Sequence, residues 1–289
     1  MAEKFEHIGI IGKYADATVG DTLAALRDYL VDHKLPCLLD ESTARFWPEH
    51  NMELASRDTL GEQCDLVIVV GGDGTLLNAA RSLAQHDPAL LGLNLGRLGF
   101  LTDVSPTEME EKLDEILAGR YNDEERFLLD CTILRDGEQI SQSDALNDVV
   151  IHKWDVARMI EVDTYINGTF VNTLRSDGLI VSTPTGSTAY ALSGGGPILQ
   201  PCLEAMVLVP ICPHTMSNRP IVIDAESVVE VVIKGQDQSH AQVSCDGQIN
   251  LGLVAGDRIQ IRKMEHTVRL IHPIEHDHFQ VLRTKLNWG

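Results

Sequence analysis

The stretch DLVIVVGGDGTLLNAAR, residues 65–81, limits the fold more than any other part of the chain. Residues 65–70 are a nearly continuous apolar run, the pattern of a strand covered on both faces. Three glycines and one aspartate follow. Apolar residues then recur at helical spacing: Leu76, Leu77, Ala80, Leu83 and Ala84. The sequence therefore predicts a buried strand, a tight glycine turn and a helix that begins near Thr75.

The first part of the chain repeats this alternation of strand and helix. We expect further strands at residues 7–12, 36–40 and 90–95. Between the first two strands, Asp21 is placed to cap a helix that buries Leu23, Leu26 and Leu30. Alternating strands and helices predict an α/β domain with a Rossmann-like, mostly parallel sheet.

A further helix is predicted over residues 105–119. Ser105 is the expected N-cap, with Pro106 in the first turn and Glu108 completing a capping box. Gly119 is expected to end this helix.

After about residue 126 the helix patterns give way to strand patterns. Asp136-Gly137 and Asn167-Gly168 each stand between β-prone segments, which predicts two tight hairpins. We therefore expect an α/β domain over residues 1–128 that contains GGDG, followed by a mostly antiparallel β domain over residues 129–272.

The glycine turn has the features of a phosphate site. Glycines let a ligand approach the backbone, and the helix that follows offers free N–H groups to an anion. The chain contains no G-x-x-x-x-G-K-[ST] sequence, and Leu77 occupies the third glycine position of the dinucleotide fingerprint. Asp73 is left with three possible roles: it accepts a proton from an attacking hydroxyl, helps to hold Mg²⁺, or caps the helix.

Two further stretches have the composition of a nucleotide site. RSDGLIVSTPTGSTAYALSGGGP, residues 175–197, is dense in Ser, Thr and Gly, which suit a ribose and phosphates, although a long surface loop is the alternative. Its Arg175 and Asp177 add a cation and an acceptor. Asn147 and Asp148 precede an apolar run and are able to read a base edge or bind ribose hydroxyls, unless they only form a turn.

Composition limits the partners. The formal net charge is −20, which opposes binding to nucleic acid or to an anionic membrane. The six cysteines have no C-x-x-C spacing, so we expect reduced thiols. We find no signal-peptide pattern and no apolar run long enough to span a membrane, so a cytoplasmic location is expected.

Taken together, the motifs resemble those of bacterial NAD kinases. VVGGDGTLL, NLGRLGFLTD, LNDVVIHK, RSDGLIVSTPTGSTAYALSGGGP, PHTMSNRPIV and SCDGQ occur in the order that is typical of that family, over nearly the whole chain. GGDG alone is shared with diacylglycerol-type lipid kinases and 6-phosphofructokinases. Its combination with STPTGSTAYALSGGGP is specific to NAD kinases.

This resemblance implies an activity and an architecture. The activity is ATP-dependent phosphorylation of the 2′-hydroxyl on the adenosine ribose of NAD, with a divalent cation (Mg or Mn), to give NADP. The implied architecture is an α/β domain, a dinucleotide-binding β-sandwich, and a segment over residues 273–289 that returns to the first domain. A homodimer or homotetramer is also implied.

The resemblance further implies the residues of the site. Asp73 corresponds to the catalytic acid–base residue, and no metal ligand is identified. Asp148 stands where the family has Glu, and Arg158 corresponds to a residue that contacts NAD across a subunit boundary. The implied nucleotide contacts are Asp73, Gly74, Asn147, Asp148, Arg158, Arg175, Asp177, Thr188, Ala189, Tyr190, Ala191, Leu192, Ser193 and Gln248.

Several rival interpretations are weaker. A lipid kinase should have an apolar and basic docking surface, which the net charge of −20 disfavours. A non-catalytic dinucleotide sensor should lack an acid at position 73. A hydrolase built on Ser193 lacks the first glycine of the G-x-S-x-G elbow. The histidine-rich stretch at residues 272–279 has side chains that could bind adventitious metal. Its spacing matches no zinc pattern, so we expect a solvated or interface segment there.

Overall fold

A computed structural model describes residues 4–13, 19–96, 98–154, 158–235 and 241–288. The chain divides into two compact units. The first unit consists of residues 1–125 and 266–289, and the second of residues 126–265. None of the helices within the described ranges is both long and apolar enough to span a bilayer.

The N-terminal part of the first unit alternates strands and helices. Its elements are β1 (Ile8–Gly12), α1 (Val19–Asp32), β2 (Cys37–Asp40), α2 (Glu41–Ala44), β3 (Glu53–Ala55), α3 (Arg57–Gln63), β4 (Leu66–Val70), α4 (Asp73–Leu83), β5 (Ala89–Leu93) and α5 (Met109–Leu117). The strands pair in parallel in the order β3-β2-β1-β4-β5. Every residue of β1, β4 and β5 is buried, as their apolar runs predict.

Two helix starts differ from the sequence prediction. Helix α1 begins at Val19, so Asp21 lies inside its first turn and does not cap it. Helix α5 begins at Met109, so Ser105 is not its N-cap; residues 105–108 form a turn in which the Ser105 hydroxyl donates to Glu108. Gly119 follows α5 with φ +81, which confirms its predicted role.

The second unit is built almost entirely of antiparallel strands. Its elements are β6 (Tyr121–Arg135), β7 (Glu138–Ala145), β8 (Asp148–Lys153), β9 (Ile160–Ile166), β10 (Thr169–Ser176), β11 (Gly178–Ser182), a 3₁₀ turn (Thr185–Thr188), α6 (Tyr190–Ser193), β12 (Ala205–Ile211), β13 (Ile221–Asp224), β14 (Val229–Ile233), β15 (Ala241–Cys245) and β16 (Ile249–Leu253). One six-stranded sheet has the order β13-β12-β11-β8-β15-β16. Its residues share a single apolar core with those of β6, β9, β10 and β14, as in a sandwich.

Both predicted hairpins are confirmed. The turn Asp136-Gly137 joins β6 to β7, and Asn167-Gly168 joins β9 to β10. All four residues have positive φ, between +50 and +85. Two consecutive positive φ angles define the turn type that matches the twist of paired strands.

The last elements of the chain are β17 (Arg258–Pro273) and α7 (His278–Leu286). Residues 258–261 of β17 pair with β14 in the second unit, whereas residues 269–271 pair in parallel with β5 in the first unit. The division between the units therefore falls inside two continuous strands, β6 and β17, at 125/126 and 265/266. The boundaries predicted from the sequence, 128/129 and 272/273, differ from these by a few residues. A continuous strand without a linker gives no compositional signal at a domain boundary.

Candidate functional site

The turn between β4 and α4 presents open backbone at the start of a helix. Gly71 is tied to the neighbouring strand, since its N–H donates to the carbonyl of Leu93 at 2.8 Å. A Cβ on Gly71 would lie 2.5 Å from the Thr75 hydroxyl, whereas one on Gly72 or Gly74 would meet nothing within 4 Å. Gly71 is therefore required for packing, while Gly72 and Gly74 leave free space at the N-terminus of α4. Such space suits an anion.

Asp73 is the first residue of α4, two residues before the predicted start. Its carboxylate accepts hydrogen bonds from the backbone N–H groups of Phe100 and Leu101, at 2.9 and 3.0 Å, and from the Thr102 hydroxyl at 3.2 Å. The structure gives this carboxylate no bond to the N–H groups of its own helix. The helix-cap interpretation is therefore wrong: Asp73 is fixed in place by the loop over residues 99–102.

Gly99 makes this arrangement possible. A Cβ at that position would lie 2.1 Å from Asp73 Oδ1 and 2.3 Å from the Thr102 hydroxyl. Only glycine lets the loop approach so closely without displacing the Asp73 carboxylate. Gly99 lies in the family motif NLGRLGFLTD, and the sequence alone predicts no role for it.

A second site lies within the β-rich unit. A cavity of about 380 Å³ is lined by Asn147, Asp148, Val150, His152, Ala189, Tyr190, Ser244, Asp246 and Gly247. The fold thus brings together four of the predicted residues: Asn147 and Asp148 at the start of β8, and Ala189 and Tyr190 near α6. Among the other polar lining residues, His152, Ser244 and Asp246 were not predicted, although Asp246 belongs to the recognised SCDG stretch.

Two carboxylates line this cavity, and they differ in their hydrogen bonds. Asp246 accepts hydrogen bonds from the backbone N–H groups of Leu146, Asn147 and Asp148, at 3.0, 2.8 and 3.2 Å. Asp148 is 5% exposed, and no donor to its carboxylate is found in the described part of the chain. Burial, followed by the nearby negative charge of Asp246, raises the pKa of Asp148 to about 7. The Asp148 carboxyl is therefore a buried acceptor left available to a ligand.

Three hydroxyls of the Ser/Thr-rich stretch bond to the protein's own backbone. The buried hydroxyls of Ser182, Thr183 and Ser187 bond to backbone groups of the protein, for example Thr183 Oγ1 to the carbonyl of Leu146 at 2.6 Å. They fix the loop and are not free for a ribose or phosphate. A Cβ on Gly186 would lie 2.1 Å from the carbonyl of Asn147, so this glycine permits the loop to cross the start of β8.

The remaining predicted contacts lie around this loop. Thr188, Leu192 and Ser193 are at least partly exposed, whereas the Ala191 side chain is fully buried in an apolar cluster and has only its backbone to offer. Gln248 is in the turn next to Asp246 and Gly247.

The predicted charged residues Arg158, Arg175 and Asp177 are not among the lining residues of this cavity. Arg175 pairs weakly with Glu161 at 3.9 Å, and Asp177 pairs with Lys153 at 2.8 Å. Arg158 is exposed and directly follows residues 155–157, which lie outside the described ranges.

Family comparisons agree with this two-part arrangement. The model of the ATP-NAD kinase N-terminal domain matches residues 8–121, and that of the ATP-NAD kinase C-terminal domain matches residues 146–273. The chain belongs to the NAD kinase family. This membership separates it from the lipid kinases that share GGDG.

Relatives and solved structures support the same conclusion. The NAD kinase of Nitrosococcus oceani is 53% identical over 289 residues, covering 100% of this chain and 99% of the relative. That of Hahella chejuensis is 52% identical over 287 residues, covering 99% and 97%.

Two solved structures share the fold. An Archaeoglobus fulgidus NAD kinase in complex with ATP has a TM-score of 0.76 at 28% identity, covering 97% of this chain and 98% of that chain. A yeast NADH kinase complexed with NADH has a TM-score of 0.91 at 22% identity, covering 99% and 89%, and shows likeness of fold. The N-terminal α/β and C-terminal antiparallel β classes predicted from the sequence are confirmed.

Proposed function

We infer that this protein transfers the γ-phosphate of ATP to the 2′-hydroxyl on the adenosine ribose of NAD, giving NADP and ADP. The proposal depends on the position and hydrogen bonds of the Asp73 carboxylate. This carboxylate is held rigidly by three donors at a glycine turn, beyond the carboxyl end of a buried parallel strand. Ligands of open α/β sheets bind at that edge. Relatives at 52–53% identity that are named NAD kinase support the substrate.

Phosphoryl transfer depends mainly on positioning and charge. The open backbone at Gly72 and Gly74 and the N-terminus of α4 suit the phosphates. Asp73 takes the proton of the 2′-hydroxyl as its oxygen forms a bond to the γ-phosphorus. The bond from that phosphorus to the bridging oxygen breaks, and ADP leaves with the electron pair. A weakly nucleophilic ribose hydroxyl needs such a proton acceptor within about 3 Å.

The cavity in the β-rich unit suits the dinucleotide. Asn147 and the unpaired Asp148 carboxyl offer acceptors to ribose hydroxyls, and Tyr190, 47% exposed, offers a ring face to a base. We include in this site the backbone of residues 188–193 and the side chain of Gln248. Arg175, Asp177 and Arg158 complete it, Arg158 through a second subunit of a homodimer or homotetramer.

A divalent cation, Mg²⁺ or Mn²⁺, is part of this proposal. The turn fits such an ion, because the Asp73 carboxylate and the nearby Thr75 and Thr102 hydroxyls are the hard oxygen donors that these ions prefer. When bound with ATP, the cation neutralises charge on the phosphates. We also propose a cytoplasmic location, which the acidic composition and six free cysteines support.

The direct test is the Asp73→Asn variant. It keeps the size of the side chain and removes the proton acceptor, so kcat for NADP formation should fall about 10²- to 10⁴-fold while NAD still binds. The control is Asp21→Asn, which changes another aspartate in the first turn of a helix, at an exposed position. Purified protein is assayed for NADP and ADP with NAD, and in parallel with diacylglycerol. A near-normal kcat in Asp73→Asn contradicts the proton-accepting role, and lipid phosphorylation without NADP contradicts the proposed substrate.

A further inference from the structure

Three side chains from distant parts of the sequence meet inside the α/β unit. Asp103 lies beyond β5, His272 lies near the end of β17, and His276 lies before α7. Nδ1 of His272 is 2.9 Å, and Nδ1 of His276 is 2.7 Å, from the same oxygen of Asp103, Oδ2. The exposed fractions of the three side chains are 8%, 1% and 5%, in sequence order. Of the solvated or interface segment expected at residues 272–279, the solvated alternative is therefore wrong for both histidines.

The spacing of these atoms is that of metal ligands. One possible ligand atom from each residue lies within 4.8 Å of the other two. An ion bound at about 2.1 Å holds neighbouring ligand atoms about 3.0 Å apart in octahedral geometry and about 3.4 Å apart in tetrahedral geometry. The O–N distances of 2.7 and 2.9 Å need only a small expansion to admit an ion.

Two buried polar atoms of this cluster lack a hydrogen-bond partner among the described residues. Among the described residues, Asp103 Oδ1 and His272 Nε2 are buried and have no hydrogen-bond partner. A buried carboxylate oxygen without a partner is costly, and an ion shared with Oδ2 would offset that cost. Because Nε2 of His272 has no partner, no second hydrogen bond holds its ring in the tautomer that protonates Nδ1. Nδ1 of His272 is therefore able to offer a lone pair.

A cavity of about 310 Å³ leads to the cluster. Asp103 and His276 form part of its wall, together with the acidic side chains of Glu108, Glu275 and Asp277. Lys112 is the basic residue among the described lining residues, and it pairs with Glu115 and Glu275 at 3.2 and 3.0 Å. The cavity therefore offers a negatively charged entry path and room for water ligands.

We propose that Asp103, His272 and His276 form a binding site for one divalent transition-metal ion, with water in the remaining coordination positions. Two imidazoles and one carboxylate favour ions of the zinc, cobalt and nickel class over Mg²⁺. The site shares no residue with the cation site proposed at Asp73, and it does not depend on the proposed function. A bound ion joins the β17–α7 segment to the loop that follows β5.

Titration of metal-stripped protein with Co²⁺ and Zn²⁺ tests this site. The exposed Cys202 and Cys212 are first changed to Ser, so that their thiols take up no metal. This parent protein should bind one equivalent of Co²⁺ with visible absorption bands, and Zn²⁺ should displace the Co²⁺. His276→Gln and Asp103→Asn should each weaken binding at least tenfold. His33→Gln is the matched control and should bind like the parent. His33 pairs with Asp114 at 3.5 Å, and the described residues supply no third ligand there.

Two further measurements keep the result independent of folding. Zn²⁺ should raise the thermal unfolding midpoint of the parent and of His33→Gln but not that of His276→Gln. Zn²⁺-treated crystals of the unmodified chain should show an anomalous scattering peak between the three side chains. The proposal is overturned if that peak is absent, or if His276→Gln and Asp103→Asn bind metal as tightly as the parent.

Discussion

At the scale of single residues, position in the sequence and hydrogen-bond partners are different kinds of information. The position of Asp73 in a strand–turn–helix was predictable, because glycines and hydrophobic spacing are local signals. Its partners were not predictable, since Phe100, Leu101 and Thr102 reach it only through the pairing of β4 with β5. The hydrogen bond from the backbone N–H of Asp148 to the carboxylate of Asp246, 98 residues later, was equally unpredictable, because it depends on the pairing of β8 with β15.

Gly99 should be needed to keep the Asp73 carboxylate in place. In Gly99→Ala the new Cβ would displace the Asp73 carboxylate, which lies 2.1 Å from the ideal Cβ position. We expect kcat for NADP formation to fall about 100-fold, because small misplacements of a reacting group are costly. The KM for ATP should change little. The control is Gly20→Ala, where a Cβ meets nothing within 4 Å and which should keep full activity. Equal kcat values in both variants would show that the loop does not position Asp73.

The raised pKa of Asp148 should make the stability of the protein depend on pH. Folded protein retains the Asp148 proton up to about pH 7, whereas the unfolded chain releases it near the ordinary value of 3.8. The folded state therefore binds more protons in that window. Asp148 should lower the free energy of unfolding by up to about 1.4 kcal/mol per pH unit as pH rises between about 4 and 7.

Urea unfolding of Asp148→Asn across this pH range checks the effect. The variant should lose this part of the slope and gain stability relative to the wild type as pH rises. Asp136→Asn removes a carboxylate from the exposed hairpin turn and serves as the control. Parallel slopes for the wild type and Asp148→Asn would contradict the raised pKa.

At the scale of elements, turns were predicted better than helix starts. Asp136-Gly137 and Asn167-Gly168 require positive φ, which few residues tolerate, so their signal is specific. The predicted start of α5 at Ser105 was wrong, because the capping pattern of Ser105 and Glu108 also suits an isolated turn. The loop over residues 182–187 raises a related difficulty: a hydroxyl-rich sequence does not reveal whether its hydroxyls face a ligand or, like those of Ser182, Thr183 and Ser187, the protein's own backbone.

The three glycines of the β4–α4 turn should respond differently to replacement by alanine. Gly72→Ala and Gly74→Ala add a Cβ in open space, so the thermal unfolding midpoint should be unchanged or slightly raised. If ATP phosphates occupy that space, each variant should raise the KM for ATP about tenfold or more, the loss of about 1.4 kcal/mol of binding.

Gly71→Ala provides the contrast within the same turn. Its Cβ would lie 2.5 Å from the Thr75 hydroxyl, so this variant should lose about 1–3 kcal/mol of stability. Calorimetry and steady-state kinetics on the three variants separate packing from binding. An unchanged KM for ATP in both Gly72→Ala and Gly74→Ala would place the phosphates elsewhere.

At the scale of the whole molecule, the change from helix patterns to strand patterns near residue 126 was enough to predict the fold class. It was not enough to predict the route of the chain. Residues 269–271 complete the parallel sheet beside β5, a pairing across about 180 positions that no local pattern encodes. The burial of His272 and His276 was not predicted either, because it also depends on the return of β17 to the first unit.

Residues 269–271, the part of β17 that returns to β5, should be needed for the stability of the α/β unit. Ile271 is 1% exposed, pairs with Leu91 and lies in the core of the α/β unit. Ile271→Asp buries an unpaired charge, so it should destabilise that unit by several kcal/mol. Hydrogen exchange should show lost protection in residues 1–125 and 266–289, with slower exchange kept in residues 126–265. Ile274→Asp, at a 52% exposed position, should leave both patterns intact. Uniform loss of protection would show that the chain unfolds as one cooperative body.

The returning strand also sets an order of events during synthesis on the ribosome. Domains generally fold as they emerge, the N-terminal ones first. Here the β-rich unit, residues 126–265, is synthesised before the strand that completes the sheet of the earlier unit. Until then β5 has an unpaired edge, which is a site for aggregation in a nascent chain. The unit that is started first is therefore finished last, and the edge of β5 stays open until residues 269–271 have been synthesised.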